Sequence, residues 1–230
     1  MKNAMAVFVK QVKDTIKNKT ILIQFLMFPV ITLIMENTVK LADMPEHFFA
    51  NLFAAMFVGM APITCTSAII SEEKEKDTLR VLLMSNVKPL EYLLGVGSYV
   101  FVLCMVGSAV IGAAGGYTGA LFGRFMALMA VGTVISILLG AAVGAWSRSQ
   151  MTATGVVVPV MCVLSFLPML AMFNDFIAKV SECFYTGQLS ILIGQLGSID
   201  ITAKTVIVLC ANAAVALAAF VIAYLKKLKN

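Results

Sequence analysis

Charge is what this sequence has least of. Only 13% of its 230 residues are Asp, Glu, Lys or Arg, while 60% are hydrophobic, and the mean hydropathy is +0.96. A soluble domain carries about 25% charged and roughly 45–50% apolar residues. No soluble core could hide this much apolar surface, so the fitting solvent is lipid. The net charge of +5 does not point to nucleic acid, because the Lys and Arg stand beside apolar runs and form no polar face.

Other shortages exclude whole chemistries. There is one histidine, His47, and a metal centre needs a cluster of ligands. An intramembrane serine protease would need a histidine near its serine. The pair Glu72-Glu73 is a feature of membrane metalloproteases, but those also need histidines on later spans, and none follows His47. No GxxxxGK[ST] occurs, so nothing in the chain can cradle a triphosphate. The five cysteines form no CxxC. Cys65, Cys104, Cys162 and Cys210 lie in apolar runs and read as small buried hydrophobes, and Cys183 is expected outside the membrane. The apolar runs hold almost no ionisable residue, which argues against a proton- or ion-coupled carrier. The first 20 residues have no continuous apolar region and no cleavage site, so no signal peptide is expected.

What is present is a series of apolar runs. Six approach the roughly 20 residues that cross a bilayer: 20–35, 48–70, 92–114, 125–146, 153–173 and 205–225. The first carries Gln24 and Pro29, and the proline should kink it or leave a carbonyl for a neighbour to satisfy. A seventh run, 183–196, is too short and too polar to cross. The outer segment 174–204 is too apolar for a free loop, and two short re-entrant helices are expected there. The glycines Gly107, Gly112, Gly115, Gly116, Gly119 and Gly123 suit close helix packing, with a flexible hinge as the alternative. The expected fold class is therefore an all-α integral membrane protein of six spans, forming a single domain over 1–230.

Basic residues orient it. Lys2, Lys10, Lys13, Lys17 and Lys19 precede the first run. Lys74, Lys76, Arg80 and Lys88 separate the second from the third, Arg148 lies between the fourth and fifth, and Lys226, Lys227 and Lys229 end the chain. The other side has only Lys40, Arg124, Lys179 and Lys204. The positive-inside rule then places both ends in the cytoplasm. The arm 1–19 is amphipathic, with Met5, Phe8, Val12 and Ile16 on one stripe and lysines beside it, as in a helix lying in the membrane interface.

One dense island of charge remains, beginning SEEKEKDTLRVLLM at Ser71. Residues 71–84 read as one amphipathic helix. Leu79, Leu82 and Leu83 share a face, Glu72 and Lys76 form an i,i+4 pair, and Glu73, Lys76 and Arg80 line another face. A turn over 86–89 follows. The island resembles the signature region of ABC-2 type transporter permeases: Glu73, Glu75, Thr78, Leu79, Leu82, Pro89, Glu91 and Gly95 stand at matching places, with Asp77 where a Gly is usual and Val96 where a Lys is usual. The resemblance extends over the whole chain, from arm to last span.

The resemblance implies a permease of a bacterial cytoplasmic membrane, paired as a homo- or heterodimer and bound to two copies of a separate ATP-binding subunit. ATP and magnesium would belong to that subunit. Segment 71–89 would be the coupling helix, with Glu72, Glu73, Glu75, Lys76, Thr78, Leu79, Arg80, Leu82 and Leu83 docking the ATPase. The spans offer no charged site, so the expected cargo is hydrophobic or amphipathic. A toxin or antimicrobial peptide comes first, with lipids, drugs or sodium as alternatives. A non-transporting membrane scaffold or peptide-sensing immunity protein is the rival class. Orientation is directly testable. With a membrane-impermeant thiol reagent on intact cells, Cys183 should be labelled and a Lys76→Cys variant should not, and the opposite pattern would invert the topology.

Overall fold

The structure is a computed structural model, described over residues 2–17, 19–39, 45–84, 87–197 and 202–227. Ten helices account for nearly all of it: α1 Lys2–Lys17, α2 Lys19–Thr38, α3 Phe48–Glu75, α4 Thr78–Met84, α5 Pro89–Ala114, α6 Gly119–Trp146, α7 Gln150–Leu170, α8 Asp175–Ser181, α9 Tyr185–Gly194 and α10 Ala203–Lys227. No strand occurs among the described residues.

Five helices are long and apolar enough to cross a membrane: α3, α5, α6, α7 and α10. The sequence reading expected six. The first expected span lies in α2, whose described apolar stretch, Phe25–Thr38, is shorter than a span needs. Pro29 sits inside α2 without ending it. The helix turns Phe25, Phe28 and Thr32 inward and leaves Ile23, Leu26, Val30 and Ile34 exposed.

Helix α3 is the axis. It is the most buried of the five candidate spans, with α2, α5, α6, α7 and α9 packed around it. In lipid, helices gain little from apolar burial against one another and rely on close approach through small residues. Three glycines of α6 supply that approach. A Cβ at Gly140 would lie 2.5 Å from the Ile63 carbonyl oxygen, one at Gly144 would lie 2.9 Å from Ile70 Cβ, and one at Gly132 would run into Val58 and Leu189. Gly59 of α3 meets the backbone of Leu164 and Ser165 on α7 in the same way. Two buried hydroxyls cross these seams. Ser136 donates to the Val58 carbonyl at 2.7 Å and Ser165 to the Met56 carbonyl at 3.1 Å. Such bonds are worth about 0.6 kcal/mol each in a bilayer.

The glycines toward the C-terminal end of α5 are packed as well, Gly107 against Phe57, Gly112 against Phe125 and Gly115 against Ala50. Only Gly116 and Gly119 among them take the positive φ that favours glycine. Cys65 and Cys104 are buried, whereas Cys162 and Cys210 face outward with Cys183. A thiol on the rim of an apolar helix is tolerated where the solvent is lipid.

The expected pair of short helices in segment 174–204 is present as α8 and α9. Nearly every residue of α9 up to Leu189 is buried, which explains how a polar run sits there. Gln188 donates to the Glu182 carbonyl at 2.6 Å and accepts from Thr205 at 3.0 Å, and Tyr185 shares a 2.6 Å hydrogen bond with Ser136. At the same end Glu36 accepts the Ala50 amide at 2.9 Å, covering one orphan donor of α3. Beside it Tyr117 bonds Asn51, and burial, with Glu36 second, pushes its hydroxyl up to about 12. Gly140→Ala should therefore lower stability by about 1–3 kcal/mol through forced separation of α6 from α3, whereas Gly155→Ala, at an open position on α7, should leave it unchanged or raise it by about 0.5 kcal/mol. Thermal unfolding of the two purified variants in one detergent measures the contrast.

Candidate functional site

The charge island is two helices and a joint, not one helix over 71–84. Helix α3 runs on to Glu75, and the chain turns at Lys76 and Asp77 before α4 begins at Thr78. Asp77 has φ of +54°, the left-handed region that glycine occupies freely and that Asp tolerates better than most residues. That conformation accounts for the glycine usual at this place in the permeases the sequence resembles. The joint is tied across by Thr78, whose hydroxyl donates to the Glu73 carbonyl at 3.0 Å, one of the carbonyls that a helix end leaves without a partner.

Glu73, Lys74 and Glu75 each reach a different element. Glu73 is buried and turned inward, where one carboxylate oxygen accepts from Lys10 and, at 2.7 Å, from Gln11, both on α1. Tyr92, buried on the first turn of α5, lies beside it. Lys74 donates to the Ala145 carbonyl at 2.6 Å, at the last turn of α6. Glu75 accepts the Gln150 amide at 2.7 Å, at the first turn of α7. These signs suit the helix dipoles, with the cation at a C-terminus and the anion at an N-terminus. Lys76 alone returns to its own helix, bonding Glu72 at 2.6 Å. That hydrogen bond and the carboxylate charge hold its ammonium above the ordinary lysine value.

The arm α1 closes the arrangement from below. Its inward face centres on Val7 and Gln11, with Phe8 and Val12 half-buried beside them, while Met5 is exposed. The expected stripe through Met5 is thus rotated. Gly95 is the reason, since a Cβ there would meet Val7 and the Ala4 carbonyl at under 3 Å, so α5 offers a notch that Val7 fills. Phe8 stands edge-on to Tyr99 with centroids 5.9 Å apart, and Asn3 donates to Glu91 at 2.9 Å. Glu91 also reaches back to the Lys88 amide at 3.3 Å, half of a capping box behind a proline at the first helical position. Val96, where a lysine is usual, is fully buried.

Among the nine residues expected to dock an ATPase, Leu79 is buried in the chain's own core and Leu82 is half-buried against it. Glu72, Glu75, Lys76 and Thr78 remain at least partly accessible. The side chains of Arg80 and Leu83, and residue 86 of the expected turn over 86–89, lie outside the described residues. The outward apolar side chains of α4 are Val81 and Met84, 64% and 79% exposed. Sequence reading missed both, because helical spacing identifies a stripe without saying which stripe the core takes. No cluster that could hold a metal occurs among the described residues.

Residues 1–223 match the family described as ABC-2 family transporter protein. The chain belongs to that family. It is a multi-pass membrane protein of the transport machinery, in a family that is not itself catalytic and whose membrane components work with an ATP-binding subunit. No curated protein matches the chain. Within this permease the buried pair predicts an asymmetry. Lys10→Met strands the Glu73 carboxylate, which is 8% exposed, whereas Glu73→Gln leaves a lysine that is 35% exposed and can turn to water. Removing one partner of a buried pair costs up to about 3–5 kcal/mol, so Lys10→Met should approach that range and Glu73→Gln should fall nearer 1–2 kcal/mol. Asp77→Gly should be neutral or mildly stabilising, and Asp77→Val should cost about 1–3 kcal/mol. Melting temperatures, with tryptic release of α1 as a second readout, test both contrasts.

Proposed function

We propose that this permease exports a hydrophobic or amphipathic substrate, a peptide foremost, driven by ATP hydrolysed in separate subunits. Two permeases pair and two ATPases dock beneath them. In this reading α2 is the first of six spans, since its 20 residues extend about 30 Å, and both ends of the chain are cytoplasmic. Helices α8 and α9 dip into the outer leaflet, and α1 lies along the inner interface.

The observation that carries the reading is the hairpin of α3, α4 and α5. A seven-residue helix is held at the ends of two spans by buried polar bonds. It presents Val81 and Met84 outward between the accessible charges of Glu75, Lys76 and Lys88. A small apolar patch inside a charged rim is the anatomy of a docking surface, in which buried anchors give affinity and rim charges give register. ATP binding would draw the two hairpins together. Because the hairpin is tied to α1, α6 and α7 as well as to α3 and α5, its displacement would move the whole inner end of the bundle.

The test is co-purification of the ATP-binding subunit with permease variants, together with substrate-stimulated ATP hydrolysis. Val81→Asp and Met84→Asp should each weaken retention by about 1–3 kcal/mol, roughly five- to over a hundredfold, while the permease still inserts and pairs. Leu79→Asp should reduce folded permease instead, and Leu82→Asp should do some of both. The permease alone should hydrolyse no ATP. Wild-type retention and stimulated hydrolysis in Met84→Asp would remove the docking role from α4.

A further inference from the structure

Between α3, α5, α6 and α10 lies a cavity of about 510 Å³, within the roughly 300–1,000 Å³ usual for small-ligand sites. Its wall is hydrocarbon, apart from the hydroxyls of Thr66 and Ser98 and the backbone at Gly97, and no charged side chain lines it. A charged ligand therefore finds no counter-charge there. The lining residues Leu90, Leu94 and Ser98 of α5 and Leu217 of α10 are exposed, so the cavity opens sideways, between two helices, into the surroundings of the bundle. None of its lining residues belongs to α4.

Its length and position select the occupant. Along α5 the lining runs from Leu90, one residue after the helix begins, to Phe101 in mid-helix. Those eleven steps cover about 16 Å, close to half of a hydrocarbon core about 30 Å thick. The lining on α6 reaches Val134 and on α10 begins at Leu217, so the cavity occupies only the half of the bundle nearest α4. Its outer edge is basic. Lys88 is exposed just before α5. Basic residues at that depth attract anionic headgroups.

We infer that this cavity holds one acyl chain of an anionic phospholipid from the leaflet that faces α4, with its headgroup at Lys88. The leaflet is the cytoplasmic one on the orientation proposed above. The site itself does not depend on that orientation or on ATPase docking. A chain seated here fills the gap between α5 and α10, both of which pack on α6.

The test reconstitutes the purified permease, without ATPase, in vesicles of phosphatidylglycerol and phosphatidylcholine. One lipid, the phosphatidylglycerol, carries a photoactivatable diazirine either near the ester end or near the methyl end of one chain, and adducts are mapped by mass spectrometry. The ester-end probe should mark Leu90 and Leu94 and the methyl-end probe Phe101 and Val134. Each should exceed labelling of the outward α7 residues Val158 and Val163 at least threefold. Gly97→Leu, which places a side chain in the cavity, should reduce the cavity adducts at least fivefold and leave the α7 adducts unchanged. Gly97→Ala, whose Cβ would sit 3.6 Å from Ile137, should retain most of them. Cavity labelling no stronger than that on α7, or without depth order in the wild type, overturns the proposal even if Gly97→Leu fails to fold. A folded Gly97→Leu that labels like wild type does the same. Equal labelling by a diazirine phosphatidylcholine would remove the anionic headgroup from it.

Discussion

The end of the bundle beside α4 depends on consecutive charged residues at the end of one helix. From Glu73 to Glu75 the side chains of α3 reach α1, α6 and α7 in turn. Near the membrane such bonds gain strength from the low dielectric, and a buried carboxylate without its partners would be costly. The same low dielectric makes the arrangement specific, since shifting α3 by one residue would present each charge to the wrong helix end. Charge is scarce in the sequence, and where it is concentrated it fixes the register of four helices.

Much of the fold was legible because its signals are one-dimensional. Long apolar runs require helices in lipid, and the runs at 48–70, 92–114, 125–146, 153–173 and 205–225 all lie within or largely within helices of the right length. The two short helices α8 and α9 were legible from a run too polar to cross and too apolar to be free. The first run was less so, because proline and glutamine interrupt it.

The clustering of charge at residues 71–88 was legible, and the directions its side chains take were less so. Leu79, Leu82 and Leu83 were expected to face a partner, but Leu79 completes the chain's own core and Val81 and Met84 face out. An amphipathic pattern says that one face is buried. It does not say against what, and a seven-residue helix hung between two spans has a core beside it as well as an open face. The inward turn of Glu73 was hidden for a related reason. Its partners Lys10 and Gln11 are more than sixty positions away in sequence, and no local spacing rule reports such a pairing. The break at Asp77 did leave a trace, as the residue that stands where glycine is usual.

One bond carries an experimental convenience. Lys74 grips the carbonyl of Ala145, and the next residue is Trp146, the only tryptophan in the chain and about half exposed. Indole emission responds to the polarity and charge around the ring. The protein therefore has a native optical probe one residue from the contact through which α3 holds α6. Rearrangement of the inner helix ends can be followed in real time by its colour and intensity, with no label and no engineered residue.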